Sequence, residues 1–310
     1  MTVAVKCENL TKRYGPVVAV DNLDLEVPAH SVFGFLGPNG AGKTTTVKLL
    51  MGLAQPSAGQ IWIDGVTMGA LKLKERLGYL PDVPAFYNWM TGQEYLLFTA
   101  DLFHLGSSVA KTRAAELLAL VGIADAAKRR VGGYSRGMRQ RLGIAQALIN
   151  QPRVLFLDEP VSALDPIGRR DILELILRLK EKTTVFMSTH ILSDVERVCD
   201  TVGIINKGKL ITVSTVAQLQ TRYSLSVFEI ELEEDPAALI PALEAQPWII
   251  KVEKATVEQA PVLRVQVKNV NTAKKELPQI IAASHVSLLR YALAMPSLED
   301  IFLKLVGGAA

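Results

Sequence analysis

Val32–Leu50, VFGFLGPNGAGKTTTVKLL, reads as a buried apolar strand, a glycine-rich turn and the opening turns of a helix. Gly37, Gly42, Lys43 and Thr44 complete the pattern G-x-x-x-x-G-K-[ST], with Gly40 inside the loop and Thr45 after it. Each position has a chemical task. Glycines let backbone N–H groups converge on a polyphosphate with no Cβ in the way, and a helix starting near Gly42 turns its positive end toward the anion. Lys43 supplies a full positive charge, and the Thr44 hydroxyl suits a hard cation such as Mg²⁺. Val32, Phe33, Phe35 and Leu36 before the loop, and Val47, Leu49 and Leu50 after it, give the strand and helix that the motif requires. The stretch predicts a phosphate-binding site between a strand and a helix.

A chain of 310 residues is long for one core, so two domains are expected. The formal charge of +3 is spread along the chain, which argues against broad electrostatic binding to nucleic acid. The densest basic run, Lys128–Arg130, reads as a solvated face. Cys7 and Cys199 have no CxxC spacing and no neighbouring histidine cluster, so neither a zinc site nor a disulfide framework is expected, and a reducing cytoplasm fits. No secretory leader pattern and no run of roughly 18 to 20 apolar residues is present. A role at a membrane would need spans from another chain.

In chain order, residues 3–36 predict short strands joined by tight turns, with Tyr14 in the first turn. Stacking on a purine and a surface aromatic are equally open there. Ile61–Gly65 and Leu77–Asp82 read as further strands, the second stopping at Pro81. From Thr91 to about Gly122 the apolar spacing becomes helical. GGYSRGMRQRLGIAQALIN, from Gly132, opens as a loop and continues as a helix with Ser135 and Gly137 at its start. RVLFLDEP, Arg153–Pro160, is an apolar strand ending in two carboxylates. Ionised carboxylates are costly to desolvate, so the pair is read as functional: Asp158 to hold Mg²⁺ directly or through water, Glu159 to polarise an attacking water. Thr183–His190, TTVFMSTH, ends another strand, and strand C-termini in open α/β sheets line the ligand crevice, which makes His190 a candidate γ-phosphate contact.

Together these segments resemble the ATP-binding subunit of an ABC transporter, over residues 3 to about 222 and in the expected order. GPNGAGKTT resembles its Walker A, YSRGMRQRL its signature, VLFLDEP its Walker B with the catalytic glutamate, SALDP its D-loop and STH its switch histidine. The resemblance implies that ATP meets Gly37, Asn39, Gly40, Ala41, Gly42, Lys43, Thr44 and Thr45. It also implies adenine stacking on Tyr14, Mg²⁺ near Thr44 and Asp158, and Glu159 and His190 as catalytic residues. Ser135, Gly137 and Met138 would contact the partner subunit's nucleotide, and Asp165 would lie at the dimer interface. Tyr134, Arg136 and Met138 replace the Leu, Gly and Gln of the usual LSGGQ, and such signatures resemble the branch serving drug, polyketide and other small-molecule exporters. Asp82 stands where most members carry a glutamine near the metal; being shorter, it is expected to reach the ion only through water. The implied fold is an ABC-type domain with a mixed core sheet, an antiparallel β subdomain and a helical subdomain over about 83–150. The implied assembly is a head-to-tail homodimer at the cytoplasmic face of a membrane, coupled to a polytopic permease through the loop holding Phe86, Tyr87 and Trp89. An ordinary satellite core accounts for those aromatics equally well.

Beyond about Tyr223 a second unit, 223–310, follows. Phe228, Ile230 and Leu232 alternate with glutamates, and the runs that follow predict the order β-α-β-β-α-β of a ferredoxin-like α+β domain. Ser297 and Asp300 form a capping-box pattern before an apolar helix face of Leu298, Ile301, Phe302 and Leu305. PSLEDIFLKL resembles the tail of the accessory domain of the exporter branch. No catalytic cluster is visible here, so dimer support or regulation is expected. Two other functions fit a single phosphate loop: a soluble ATPase acting on nucleic acid or ribosomes, and a ligand-sensing regulator. Relatives of the first kind carry two ATPase units or long coiled-coil insertions, which this chain lacks.

Overall fold

The computed structural model describes residues 2–162, 164–223, 226–233, 239–257, 260–284, 286–294 and 296–307. The chain divides into two compact units after Val216. The expected boundary, 222/223, lies six residues later. The sequence cue at Tyr223 marks the end of a helix that starts at Val216, and most of that helix belongs to the second unit.

In the first unit, β1 (Val3–Tyr14), β2 (Val17–Pro28), β3 (Val32–Leu36), α1 (Lys43–Leu50), β4 (Ala58–Ile63), β5 (Val66–Thr67) and β6 (Leu77–Leu80) come first. Three helices follow: α2 (Gly92–Leu102), α3 (Ser107–Leu120) and α4 (Arg136–Ala147). The chain then runs through β7 (Val154–Asp158), α5 (Pro166–Leu179), β8 (Thr184–Thr189), α6 (Leu192–Val198), β9 (Thr201–Asn206) and β10 (Lys209–Thr215). The core sheet has the order β10-β9-β3-β8-β7-β6, parallel except for β10. Every residue of β3, β7 and β8 is buried, as expected of central parallel strands covered on both faces. The antiparallel sheet, β2-β1-β4-β5, alternates buried and exposed residues and turns its apolar face inward. Leu10, Leu23, Val27 and Ile63 from that sheet meet Phe33, Phe35, Phe156 and Phe186 from the core sheet and Val47, Leu49 and Leu50 from α1 in one cluster. The phosphate loop is thereby clamped between two sheets.

The helical subdomain is built from α2, α3 and α4. Thr91 caps α2 with a full capping box: its hydroxyl accepts from the Glu94 amide at 3.1 Å and Glu94 accepts from the Thr91 amide at 2.8 Å. Phe86 meets Tyr95 edge-on, with ring centroids 4.9 Å apart, and Tyr87 meets Phe98 at 5.8 Å, whereas Trp89 is 65 % exposed. Phe86 packs as a satellite core would have it, while Trp89 faces solvent. Lys128–Arg130 is exposed.

The second unit takes in α7 (Val216–Tyr223) from its second residue on and holds β11 (Val227–Leu232), α8 (Ile240–Glu244), β12 (Ile249–Val257), β13 (Ala260–Val267), α9 (Val270–Ala283), β14 (Leu288–Leu293) and α10 (Leu298–Gly307). Its sheet, β12-β13-β11-β14, is antiparallel throughout. This is the ferredoxin-like arrangement, with β11 inserted between β13 and β14 by the two helical crossovers. Phe228, Ile230, Leu263 and Val265 pack beneath Leu243, Leu277 and Ile281. Ser297 and Asp300 cap α10 reciprocally, and its Leu298 and Ile301 are fully buried.

Candidate nucleotide site

The phosphate loop runs from the end of β3 to Gly42, the residue before α1, so the helix starts where the motif predicts. Two glycines are compelled by crowding. A Cβ on Gly37 would lie 2.4 Å from the Ile205 carbonyl oxygen, and one on Gly42, at φ +110°, 2.4 Å from that of Ala19. Gly40, at φ +79°, faces open space; it is needed for its backbone angle alone. Lys43 is buried, and its Nζ donates to the carbonyl oxygens of Gly37 at 2.7 Å and Pro38 at 3.3 Å. Burial lowers its pKa below the usual lysine range, while the negative charges of Glu159 and Asp158 act in the opposite sense. Thr44, Asn39 and Gly40 are exposed at the mouth of the loop, Thr45 is half-buried, and the buried Ala41 is tied down by the Gly208 amide at 2.9 Å.

Parallel pairing brings the other chemistry alongside. β8 lies between β3 and β7, and Asp158 registers with Ser188. Asp158 is buried, and its Oδ1 accepts a short hydrogen bond from Ser188 Oγ. One residue on, Glu159 adopts φ +49°, which turns its side chain away from the line of the strand. Its Oε1 lies 2.8 Å from Nδ1 of His190, and its Oε2 accepts from Thr189 Oγ1 at 3.3 Å. The Glu159 side chain is 13 % exposed and the His190 ring 50 % exposed, so the pair sits at the rim of the site and not within the core. Two adjacent strand ends thus carry a buried carboxylate and, beside it, a carboxylate oriented by a hydroxyl and an imidazole.

Asp82 follows β6, the strand next to β7, and its Oδ1 accepts from Ser162 Oγ at 3.3 Å. Tyr79, three residues earlier, has its hydroxyl pushed up to about 12, first by burial and then by the charges of Asp158 and Asp82, and so remains protonated. Tyr14 ends β1 and is 49 % exposed, with Lys12 Nζ 4.9 Å from its ring centroid. The hairpin that carries it continues into β2, whose Ala19 abuts the loop.

Ser135, Gly137 and Met138 stand apart from this group, at the start of α4. Ser135 is its N-cap, its Oγ accepting from the Met138 amide at 3.2 Å. Tyr134, in place of the usual leucine, is buried, and its hydroxyl donates to the Ala126 carbonyl at 2.7 Å. Asp165 caps α5, accepting from the Gly168 amide at 2.9 Å, with Pro166 at the first helical position; Ala163 of the same loop lies outside the described residues.

Sequence reasoning missed several partners. Ser188 and Thr189 were legible only as the polar end of an apolar strand. Gln140 is 1 % exposed, and its Nε2 donates to the Pro160 carbonyl at 3.1 Å. Arg169 of α5 pairs with Asp194 of α6 at 2.7 Å, where burial still raises the Asp194 pKa despite Arg169. The signal for Gln140 was its place at helical spacing between Gly137 and Ile144, on the buried face.

Residues 20–162 match the ABC transporter family, and residues 215–306 match the DrrA1-3-like C-terminal domain of ATP-binding proteins. An ABC transporter ATP-binding protein of Bacillus subtilis is 39 % identical over 309 residues, spanning 96 % of this chain and 98 % of its own. The bacitracin transport ATP-binding protein of Bacillus licheniformis is 38 % identical over 99 % of both chains. The daunorubicin resistance ATP-binding protein of Streptomyces coeruleorubidus is 34 % identical over 98 % of this chain and 96 % of its own. Among solved structures, the ATP-binding subunit of an ABC transporter superposes with a TM-score of 0.66 at 27 % identity, over 71 % of this chain and 93 % of that one. The chain belongs to the ABC transporter family, as an ATP-binding, ATP-hydrolysing subunit.

Proposed function

We propose that this subunit powers export of a drug-like or other small molecule through a separately encoded polytopic permease, working as a head-to-tail homodimer on the cytoplasmic face of the membrane. No helix among the described residues is long and apolar enough to cross a membrane, so the spans are assigned to the permease. The first unit is the ATPase domain and the second an accessory domain. The relatives named for bacitracin transport and daunorubicin resistance, alike over nearly their whole lengths, support the choice of cargo class.

The observation that carries the reading is the Glu159 carboxylate held by His190 and Thr189 beside the buried Asp158, at the ends of β7 and β8, the two strands on one side of the strand that leads into the phosphate loop. Lys43 leaves the Gly37 carbonyl to meet the β- and γ-phosphates, while loop amides and the start of α1 hold the remaining oxygens. Mg²⁺ fits a donor set of one threonine hydroxyl, Thr44, and one carboxylate, Asp158. Among the described residues no three acids, histidines or cysteines converge, so the nucleotide's phosphates and water would have to supply the remaining ligands. Asp82, the shorter acid, would reach such an ion through water. Glu159 accepts a proton from the attacking water, and His190 holds that carboxylate and the γ-phosphate in line. Adenine stacks on Tyr14. Ser135, Gly137 and Met138 of one subunit close over the nucleotide of the other, with Asp165 at the interface, so that closure depends on the γ-phosphate and opening follows its loss.

The mass of Glu159→Gln in solution, with and without Mg-ATP, tests this. The expected result is a dimer only with ATP, together with lost turnover. A variant that hydrolyses ATP at the wild-type rate removes Glu159 from its role, and a monomer under both conditions removes the paired-site mechanism.

A further inference from the structure

The segment following β7 is held by α4, the helix that closes over the partner subunit's nucleotide in the head-to-tail dimer proposed above. Three residues of α4 at helical spacing face this segment and the helix that follows it. Gly137 lets Leu164 approach so closely that a Cβ there would lie 3.2 Å from the leucine side chain. One turn later, Gln140 donates to the Pro160 carbonyl at 3.1 Å, with a longer 3.5 Å contact to the carbonyl of Glu159. Arg141 pairs with Asp171 on α5 at 3.2 Å. The Glu159 backbone needs such support. It sits at φ +49°, a costly region for a residue with a side chain, and its amide donates to the Ser188 carbonyl at 2.9 Å. Its carbonyl accepts from the Ser162 amide at 3.3 Å and the Ser162 hydroxyl at 3.1 Å. Gln140 is the only buried polar side chain of α4, and a buried amide without its partner is costly, so the bond fixes helix and turn together.

We propose that Gln140 is a positioning residue for Glu159 of its own chain. It ties the helix whose N-terminus closes over one nucleotide to the backbone of the carboxylate that acts on the other. Docking of a γ-phosphate on Ser135 and Gly137 then tightens the turn bearing Glu159 at the second site. This rests on the head-to-tail dimer proposed above, and the two ideas separate experimentally.

Gln140→Met fills the same volume without a donor, and Gln140→Glu keeps the shape while its ionised form repels the Pro160 carbonyl. In both, kcat is expected to fall roughly tenfold to a hundredfold while the affinity for Mg-ATP stays within about twofold. Gln140→Glu should recover activity as pH falls and its carboxyl becomes a donor. In the nucleotide-free chain, exchange of the Ser162 and Leu164 amides should speed up about tenfold in Gln140→Met, a measurement that needs no dimer. Unchanged exchange, or kcat and affinity falling together, overturns the assignment.

Mixed dimers test the direction of the effect, with turnover compared to a wild-type/Glu159→Gln pair. A Gln140→Met chain joined to a Glu159→Gln chain should be nearly inactive, because the surviving Glu159 has lost its support. A doubly substituted chain joined to wild type should match the reference pair. The reverse pattern overturns the own-chain linkage. Failure of wild-type chains to pair with ATP refutes the dimer reading but leaves the exchange result standing.

Discussion

Nδ1 of His190 lies 2.8 Å from Oε1 of Glu159, across the ends of two neighbouring parallel strands whose Asp158 and Ser188 are in register. The imidazole can orient the carboxylate only because parallel pairing sets both strand ends at one level. His190→Ala removes this partner and leaves the phosphate loop untouched. Turnover is expected to drop by roughly a hundredfold, with Mg-ATP affinity within about threefold of wild type. Steady-state kinetics together with nucleotide titration check this, and an equal loss in both quantities would make His190 a ground-state contact instead.

Lys43 is buried and carries a pKa below the usual lysine range, with desolvation the leading cause. Phosphate binding needs the cation, so Mg-ATP affinity should decline as pH rises through the lowered pKa, before an exposed lysine would titrate. The effect on folding has the opposite sign. Between the lowered pKa and the usual one, the unfolded chain binds more protons, so the nucleotide-free fold gains stability as pH rises. Lys43→Met should bind ATP at least about a hundredfold more weakly, and its stability advantage over wild type should shrink across that window. Urea unfolding at several pH values measures the gap.

The two loop glycines at positive φ should differ in cost. Gly42→Ala places a Cβ 2.4 Å from the Ala19 carbonyl oxygen at φ +110°, and is expected to destabilise by about 3 kcal/mol or more. Gly40→Ala meets nothing within 4 Å and should cost only backbone strain, about 1 to 2 kcal/mol. Denaturant midpoints of the two variants decide whether crowding or backbone angle dominates.

Cys7 and Cys199 are free and buried. Burial pushes the Cys7 thiol up to about 12 and the Cys199 thiol higher still. Both should resist a thiol reagent at pH 8 until denaturant is added, when two thiols per chain react. Because folded thiols hold protons that unfolded ones release, they should also cost stability as pH rises above the usual thiol pKa, most cleanly read as the difference from a Cys→Ser pair. A native thiol that reacts within seconds would contradict the burial.

Much of the fold was legible because its signals are local. The apolar runs Val32–Leu36 and Val154–Leu157, short and followed by turn or polar residues, mark covered strands, and the alternation at Phe228–Leu232 marks a one-sided sheet. The crowding at Gly37 and Gly42 comes from Ile205 and Ala19, which are remote in sequence from the loop, yet the motif carried its consequence. The division into units falls six residues before the change in strand pattern at 222/223, because it follows packing, which includes most of α7.

The phosphate loop, the two strand-end carboxylates, the helix opening at Ser135 and the order of elements could be read along the chain, because each depends on residue type at fixed spacing. Which groups meet could not. Asp158 finds Ser188, Glu159 finds Thr189 and His190, and Gln140 finds Pro160 through pairings between segments about 20 to 30 residues apart, set by strand register and helix packing. Spacing along a chain constrains local conformation, while contacts between distant segments follow from burying several apolar faces at once, and no single stretch contains that information.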